Sequence, residues 1–300
     1  MSLRGKKMNL CDDIIISRNR AIAKSYAKVN LTLDVLGRLE NGYHEVRMVM
    51  QPLNLFDLIL VKKASAGIII KTNNPVLPCD NKNIAYKAAE LFFEETEIRG
   101  GVSINIKKNI PIAAGLAGGS GNAAAVLCSL NLLYNAELTD EKLLEMGLKL
   151  GADVPYCIKN VTSLAEGIGE KLTTLSQIPG VPVVLVTPPV SISTAEIYKR
   201  IDSAENPASI DTDGMISAIK DSDIKKIGDK LLNVMEIVTI KDCPEIADIK
   251  EKMLKFGALG SVMSGSGPSV FGIFPDNKSA KQAADYFGMK YENTFLTHTI

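Results

Sequence analysis

The sequence predicts a mixed α/β (α+β) protein in two lobes. Period-2 strand patterns and 3.6-period helix patterns alternate along it without a strict βα repeat. Its 300 residues, 46% of them hydrophobic, suffice for one large or two ordinary domains. A turn around Pro179 separates two runs of elements, which places the lobes at 21–178 and 179–300.

Composition narrows the function. Lys plus Arg and Asp plus Glu both number 34, so there is no basic excess to suggest a nucleic-acid partner. Pairs such as Lys107-Lys108 and Lys225-Lys226 are expected to be solvated surface. Cys11, Cys79, Cys128, Cys157 and Cys243 are scattered, with no C-x-x-C pair. That argues against a disulfide framework or a zinc site and fits a reducing, cytoplasmic setting. Cys128 and Cys157 are expected to pack as small apolar residues. With only His44 and His298, a multi-histidine metal site is excluded. The apolar runs fall well short of the ~20 residues of a membrane helix, so no membrane partner is expected. Residues 1–20 lack a signal-peptide pattern and are expected to be a leader outside the fold.

The first strong element is a strand at 26–36. Val29, Leu31, Leu33 and Val35 alternate with Lys28, Asn30, Thr32 and Asp34. Thr32 and Asp34 are expected to face solvent; for Lys28 and Asn30 the pattern leaves site and surface both open. Asn41-Gly42 marks a hairpin turn. Beyond it stand Tyr43 and His44, a pair able to stack on a flat ring and bond its edge. The plain alternative is a Tyr that packs and a His in solvent. A second apolar stretch runs over 46–60, loop over 75–81 and helix over 83–93. A strand at 102–107 precedes the glycine-rich stretch.

That stretch reads Pro111, Ile112, Ala113, Ala114, Gly115, Leu116, Ala117, Gly118, Gly119, Ser120, Gly121 and then a helix over 122–134. A glycine turn opening a helix exposes backbone N–H groups without intrahelical partners, and the helix dipole adds positive charge. Such a site takes a phosphate or another anion. No Lys-Ser/Thr follows the glycines, and there is no G-x-G-x-x-G spacing, so neither common nucleotide-loop pattern is met. The plain alternative is a tight turn whose glycines serve packing.

A helix over 140–150 has Thr139 as N-cap and ends at Gly151. Asp153 follows in a loop before Pro155, where it either caps a turn or acts as a base. Residues 165–170 form a turn and 180–186 a strand. Residues 191–201 lead into a helix that carries Tyr198, and 203–214 read as loop. Two helices are expected at 213–220 and 223–236. Pro244 opens another at its first position, with Ile246, Ile249, Met253 and Leu254 on its apolar face. A second Gly/Ser loop at 263–271 is either a plain hairpin turn or another place where a backbone approaches an anion. A helix over 277–287 and a strand over 291–297 complete the chain.

Three stretches resemble the three motifs of the GHMP kinases: Lys28-Val-Asn-Leu, the loop from Pro111 to Ala124, and the segment from Gly260 to Gly272. The similarity runs from about residue 24 to the end. It implies an S5-like N-terminal lobe and a ferredoxin-like C-terminal lobe with the site between them. It also implies ATP and Mg²⁺, with the ATP phosphates on residues 111–121 and Asn83 near the adenine. Asp153 would be the catalytic base and Lys28 its charged partner. Gly42-Tyr-His-Glu and Gly151-Ala-Asp-Val-Pro point to a member whose substrate is a small alcohol carrying a cytidine diphosphate group, phosphorylated on its 2-hydroxyl in non-mevalonate isoprenoid biosynthesis. Asn30, Gly265 and Gly267 would contact that substrate. Its cytosine would lie between Tyr43 and Tyr198, with His44 at the ring edge. Tyr198 stands where the family often has Phe. Gly121 stands where it often has a second hydroxyl residue, leaving Ser120 as the loop's one hydroxyl. A homodimer is left open.

Overall fold

The computed structural model describes residues 9–40, 42–203 and 210–300. Asn41 of the expected turn, residues 1–8 of the expected leader and 204–209 of the expected loop lie outside the described residues. Contacts divide the chain into two compact units, each built from several segments. Unit 1 takes residues up to Tyr26, Phe56–Ile110 and Ala117–Val161; unit 2 takes Ala27–Leu55, Pro111–Leu116 and residues from Thr162 on.

Unit 1 begins earlier than expected. A 3₁₀ turn, Leu10–Asp13, is capped by Asn9, and Leu10 is buried. Strand β1 (Ile15–Ser17) pairs antiparallel with the start of β2 (Arg20–Arg38). Residues 9–20 therefore belong to the fold. The later part of β3 (His44–Ala64) pairs antiparallel with β5 (Gly101–Lys107). β4 (Gly67–Thr72), which the sequence did not announce, runs parallel to β5 on its other side.

Four helices complete unit 1: α1 (Ile84–Thr96), α2 (Gly118–Tyr134), α3 (Asp140–Leu150) and α4 (Val154–Lys159). Asn83 caps α1 by accepting from Ala85 N at 2.9 Å, and Thr139 caps α3. Ala85, Ala88, Ala89 and Phe92 form the buried face of α1. The small alanines let α1 approach α2, which is buried along nearly its whole length, including Cys128. Phe92 is fully buried, and its ring lies 5.5 Å from Phe93 and 6.2 Å from Tyr134. Phe92→Ala is expected to cost about 3–5 kcal/mol. A urea midpoint unchanged from wild type would show that the ring carries little of this core.

Unit 2 holds the other parts of β2 and β3. β6 (Ser163–Glu166) pairs with β3 and forms a hairpin with β7 (Lys171–Thr174). β8 (Pro182–Val186) is buried throughout. Then come α5 (Thr194–Ile201), α6 (Thr212–Lys220) and α7 (Ile224–Asp229). The helix expected over 223–236 stops at Asp229, because Leu232 and Asn233 form β9 and pair parallel with Thr32 and Leu33. α8 (Glu236–Asp242) and α9 (Glu245–Lys255) follow. Pro244 is the cap of α9 rather than its first residue, and Leu254 is 51% exposed, off the buried face.

β10 (Gly260–Met263), β11 (Val270–Ile273), α10 (Asn277–Gly288) and β12 (Thr294–His298) finish the chain. The strand order β10-β11-β8-β12, antiparallel throughout, is that of a ferredoxin-like βαββαβ unit. The mixed α/β class is as the sequence predicts.

Candidate active site

In unit 2, strand β2 presents Lys28 and Asn30 on one side, as its period requires. Lys28 Nζ donates to Asn30 Oδ1 at 2.9 Å. The same oxygen accepts from Gly265 N at 3.0 Å, and Asn30 Nδ2 points to Met48 Sδ at 3.1 Å. Both side chains are buried, at 5% and 0% exposure. Thr32, next on this side, is also buried rather than solvated; its Oγ1 accepts from Val49 N at 3.2 Å.

The first half of the glycine-rich stretch joins this cluster. Lys28 N donates to Leu116 O at 3.1 Å, and Ser264 Oγ donates to Gly115 O at 2.9 Å. Gly115 has φ +73, and a Cβ on it would lie 2.2 Å from Ser264 O, so only glycine fits. The second Gly/Ser loop is the turn between β10 and β11, and unit 2 grips it closely. Asn233 Nδ2 donates to Met263 O and Gly265 O, each at 2.8 Å, and Glu236 Oε1 accepts from Met263 N at 2.8 Å. Gly265 and Gly267 are left-handed, at φ +57 and +90. The loop is thus a hairpin turn fixed by the side chains of Asn233 and Glu236.

The second half of the stretch belongs to unit 1. Ala117, at its start, is left-handed at φ +54, as are Ala113 and Gly115 earlier in the stretch. Helix α2 begins at Gly118, four residues earlier than the sequence suggests, because glycines mask its first turn. Its first intrahelical bond runs from Gly121 N to Ala117 O at 2.8 Å, so the N–H groups of Gly118, Gly119 and Ser120 precede the ladder. A Cβ on Gly118 would meet Lys108 Nζ at 2.8 Å, and one on Gly121 would meet Ser25 Oγ at 2.5 Å. These two glycines serve packing. Gly119 is exposed and would meet only Ile84 Cγ2, at 3.6 Å. In the unit 2 half, Ile112 and Ala113 are exposed, whereas Ala114 and Leu116 are buried. N–H groups left open at a helix start can take an anion.

Asp153 stands at the N-cap position of α4, half-buried, with φ −82 and ψ −12. Its side chain makes no capping bond to that helix. Asn83 is buried at both polar ends, its Nδ2 donating to Pro78 O at 2.7 Å. It holds the loop before α1 as well as capping the helix.

The Tyr-His pair reverses the plain alternative. Tyr43 is 59% exposed, whereas the His44 side chain is only 9% exposed. His44 stacks on Tyr198 with centroids 4.6 Å apart and planes 22° apart, and its Nε2 lies 2.7 Å from Asp202 Oδ1. Asp202, just past α5, had no sequence signal.

Lys108 also departs from expectation. It is buried against Asp57 rather than solvated. Burial pushes its pKa down, opposed by the Asp57 carboxylate. Among the described residues no cluster of three or more His, Cys, Asp or Glu is placed to hold a metal ion. A Mg²⁺ ion bound through nucleotide phosphates needs only one or two carboxylates and waters and does not call for such a cluster.

Residues 83–160 match the model of the GHMP kinases N terminal domain, and 215–293 that of the GHMP kinases C terminal domain. A 4-diphosphocytidyl-2-C-methyl-D-erythritol kinase from Clostridium novyi (strain NT) is 47% identical over 277 residues, covering 92% of this chain and 99% of that protein. One from Acetivibrio thermocellus is 48% identical over 279 residues, covering 92% and 98%. A crystal structure of 4-(cytidine 5'-diphospho)-2C-methyl-D-erythritol kinase superposes with a TM-score of 0.81 at 31% identity, covering 93% of this chain and 98% of that one. With both family models matched and such relatives aligned along nearly their whole length, the chain belongs to the GHMP kinase family.

Proposed function

We propose that this protein transfers the γ-phosphoryl group of ATP to the 2-hydroxyl of 4-diphosphocytidyl-2-C-methyl-D-erythritol, the compound in its relatives' name. By family it is a small-molecule kinase. The observation that carries the reading is the buried Lys28–Asn30–Gly265 cluster, with Gly115 bonded to the same loop. It gathers three separate motifs into one compact unit.

Phosphoryl transfer asks a protein to position the reactants and to offset charge on the transferred oxygens. In this reading the N–H groups of Gly118, Gly119 and Ser120 hold the nucleotide phosphates, and Asn83 lies near the adenine. Asp153 takes the proton of the attacking hydroxyl at its carboxylate, and Lys28 supplies positive charge to the transferred group. Asn30, Gly265 and Gly267 hold the alcohol. Bound Mg²⁺ would neutralise phosphate charge. Residues 21–178 act as the ATP-binding lobe and 179–300 as the second lobe.

Tyr43, exposed beside the packed His44–Tyr198 pair, stacks on the cytosine. Tyr43→Ala should then raise the KM for the cytidyl substrate by the equivalent of about 1–3 kcal/mol, with kcat nearly unchanged. An unaltered KM removes Tyr43 from the site. The reading itself is tested by ADP release from Mg-ATP with the cytidyl compound, homoserine and mevalonate offered in parallel. Release with the cytidyl compound alone is the expected result. Release with another alcohol keeps the kinase and discards the substrate. ATP binding without turnover on any of them points to a silent nucleotide-binding module.

A further inference from the structure

We propose that Lys108 is a positioning residue of the ATP site: held by Asp57 against Gly118, it sets the first turn of α2 for the nucleotide phosphates. The inference rests on the kinase reading above. All the residues involved lie in unit 1.

Asp57 is fully buried and accepts four hydrogen bonds. Its Oδ2 takes Lys108 Nζ and, at 2.9 Å, Asn122 Nδ2. Its Oδ1 takes Asn109 N at 2.7 Å and Ile110 N at 2.9 Å. One carboxylate on β3 therefore ties the chain leaving β5 to the first turns of α2. Lys108 is fixed at its backbone too, since its N donates to Asn73 Oδ1 at 2.7 Å and its O accepts from Asn73 Nδ2 at 3.3 Å. With both ends held, the ammonium has one place to be. That place is against Gly118, where even a methyl group would sit 2.8 Å from Nζ. Gly118 is the first residue of the helix whose open N–H groups would face the phosphates in the kinase reading.

Stability alone gives no reason for this pair. Buried ion pairs are often replaceable by apolar residues at little cost, because desolvating two charges offsets their attraction. Their documented use is to fix one geometry. Here the geometry fixed is the turn on which the phosphates would lie.

The test is the neutral double variant Asp57→Asn/Lys108→Met, which leaves no unpaired buried charge. It has a route to folding: Asn122 Oδ1 is buried without a partner among the described residues, and an amide at position 57 offers it a donor. Affinities for ATP and for adenosine are measured by calorimetry, alongside the thermal midpoint. The expected result is a folded protein with a near-normal midpoint, unchanged adenosine affinity and at least a tenfold weaker ATP affinity. An ATP affinity within twofold of wild type overturns the inference and leaves the kinase reading standing. A wild-type protein that binds no ATP overturns both. A second measurement needs no variant: in ¹³C-lysine-labelled protein the Lys108 ε-methylene resonance should move with ATP and stay put with adenosine. A resonance indifferent to ATP overturns the inference as well.

Discussion

Asp153→Asn is expected to lower kcat about 10²–10⁴-fold, the range a general base contributes, while ATP affinity stays near wild type. The exchange keeps size and shape and removes only the group that accepts the hydroxyl proton. Asp153 makes no capping bond to α4, so the exchange removes at most its dipole interaction with that helix, about 0.3–1 kcal/mol. A large loss of turnover without a matching loss of thermal stability is therefore the signature of chemistry. Steady-state kinetics with saturating Mg-ATP and cytidyl substrate would decide it. A kcat within a few-fold of wild type would remove the base assignment and direct attention to a transition state in which the hydroxyl proton moves late.

The second large effect is expected at Lys28. Lys28→Met keeps the apolar stem packed on β2 and deletes the ammonium. Removing one preorganised donor from a transition state typically costs about 10²–10³-fold in kcat. The fold should tolerate the change. Asn30 Oδ1 keeps its bond from Gly265 N, and the Lys28 backbone keeps its bond to Leu116 O. Lys28→Arg should fail to rescue, because the site is only 5% exposed and a planar fork does not fit where a compact point charge does. Single-turnover rates and thermal midpoints on both variants test this together. A Met variant with turnover near wild type would show that Lys28 only braces Asn30.

Much of this architecture could be read in the residues, for physical reasons that also explain the misses. Lys28 and Asn30 were legible because a strand's period puts alternate residues on one side. The same period could not say that this side is buried, so Thr32 was misjudged. Asp57 and Lys108 were invisible for a related reason: a charge on a strand or after one looks the same whether water or a partner neutralises it. β9 is two residues long, too short for any periodicity, yet it breaks a predicted helix and delivers Asn233 to the second Gly/Ser loop. The residues leave the glycines open to a ligand or to packing; that Gly118 and Gly121 make room for Lys108 and Ser25 only three-dimensional packing can show.

The pairing of β2 with β9 has a consequence for how such an enzyme can change over evolutionary time. Lys28, Asn30 and Thr32 occupy successive positions on one side of a single strand, and Thr32 and Leu33 set the register of Leu232 and Asn233. One residue inserted into β2 before Thr32 would turn Lys28 and Asn30 to the opposite side of the strand. One inserted into β9 would pull Asn233 off the carbonyls of Met263 and Gly265. Exchanges of side chain are therefore open to these two strands, but changes of length are closed to them.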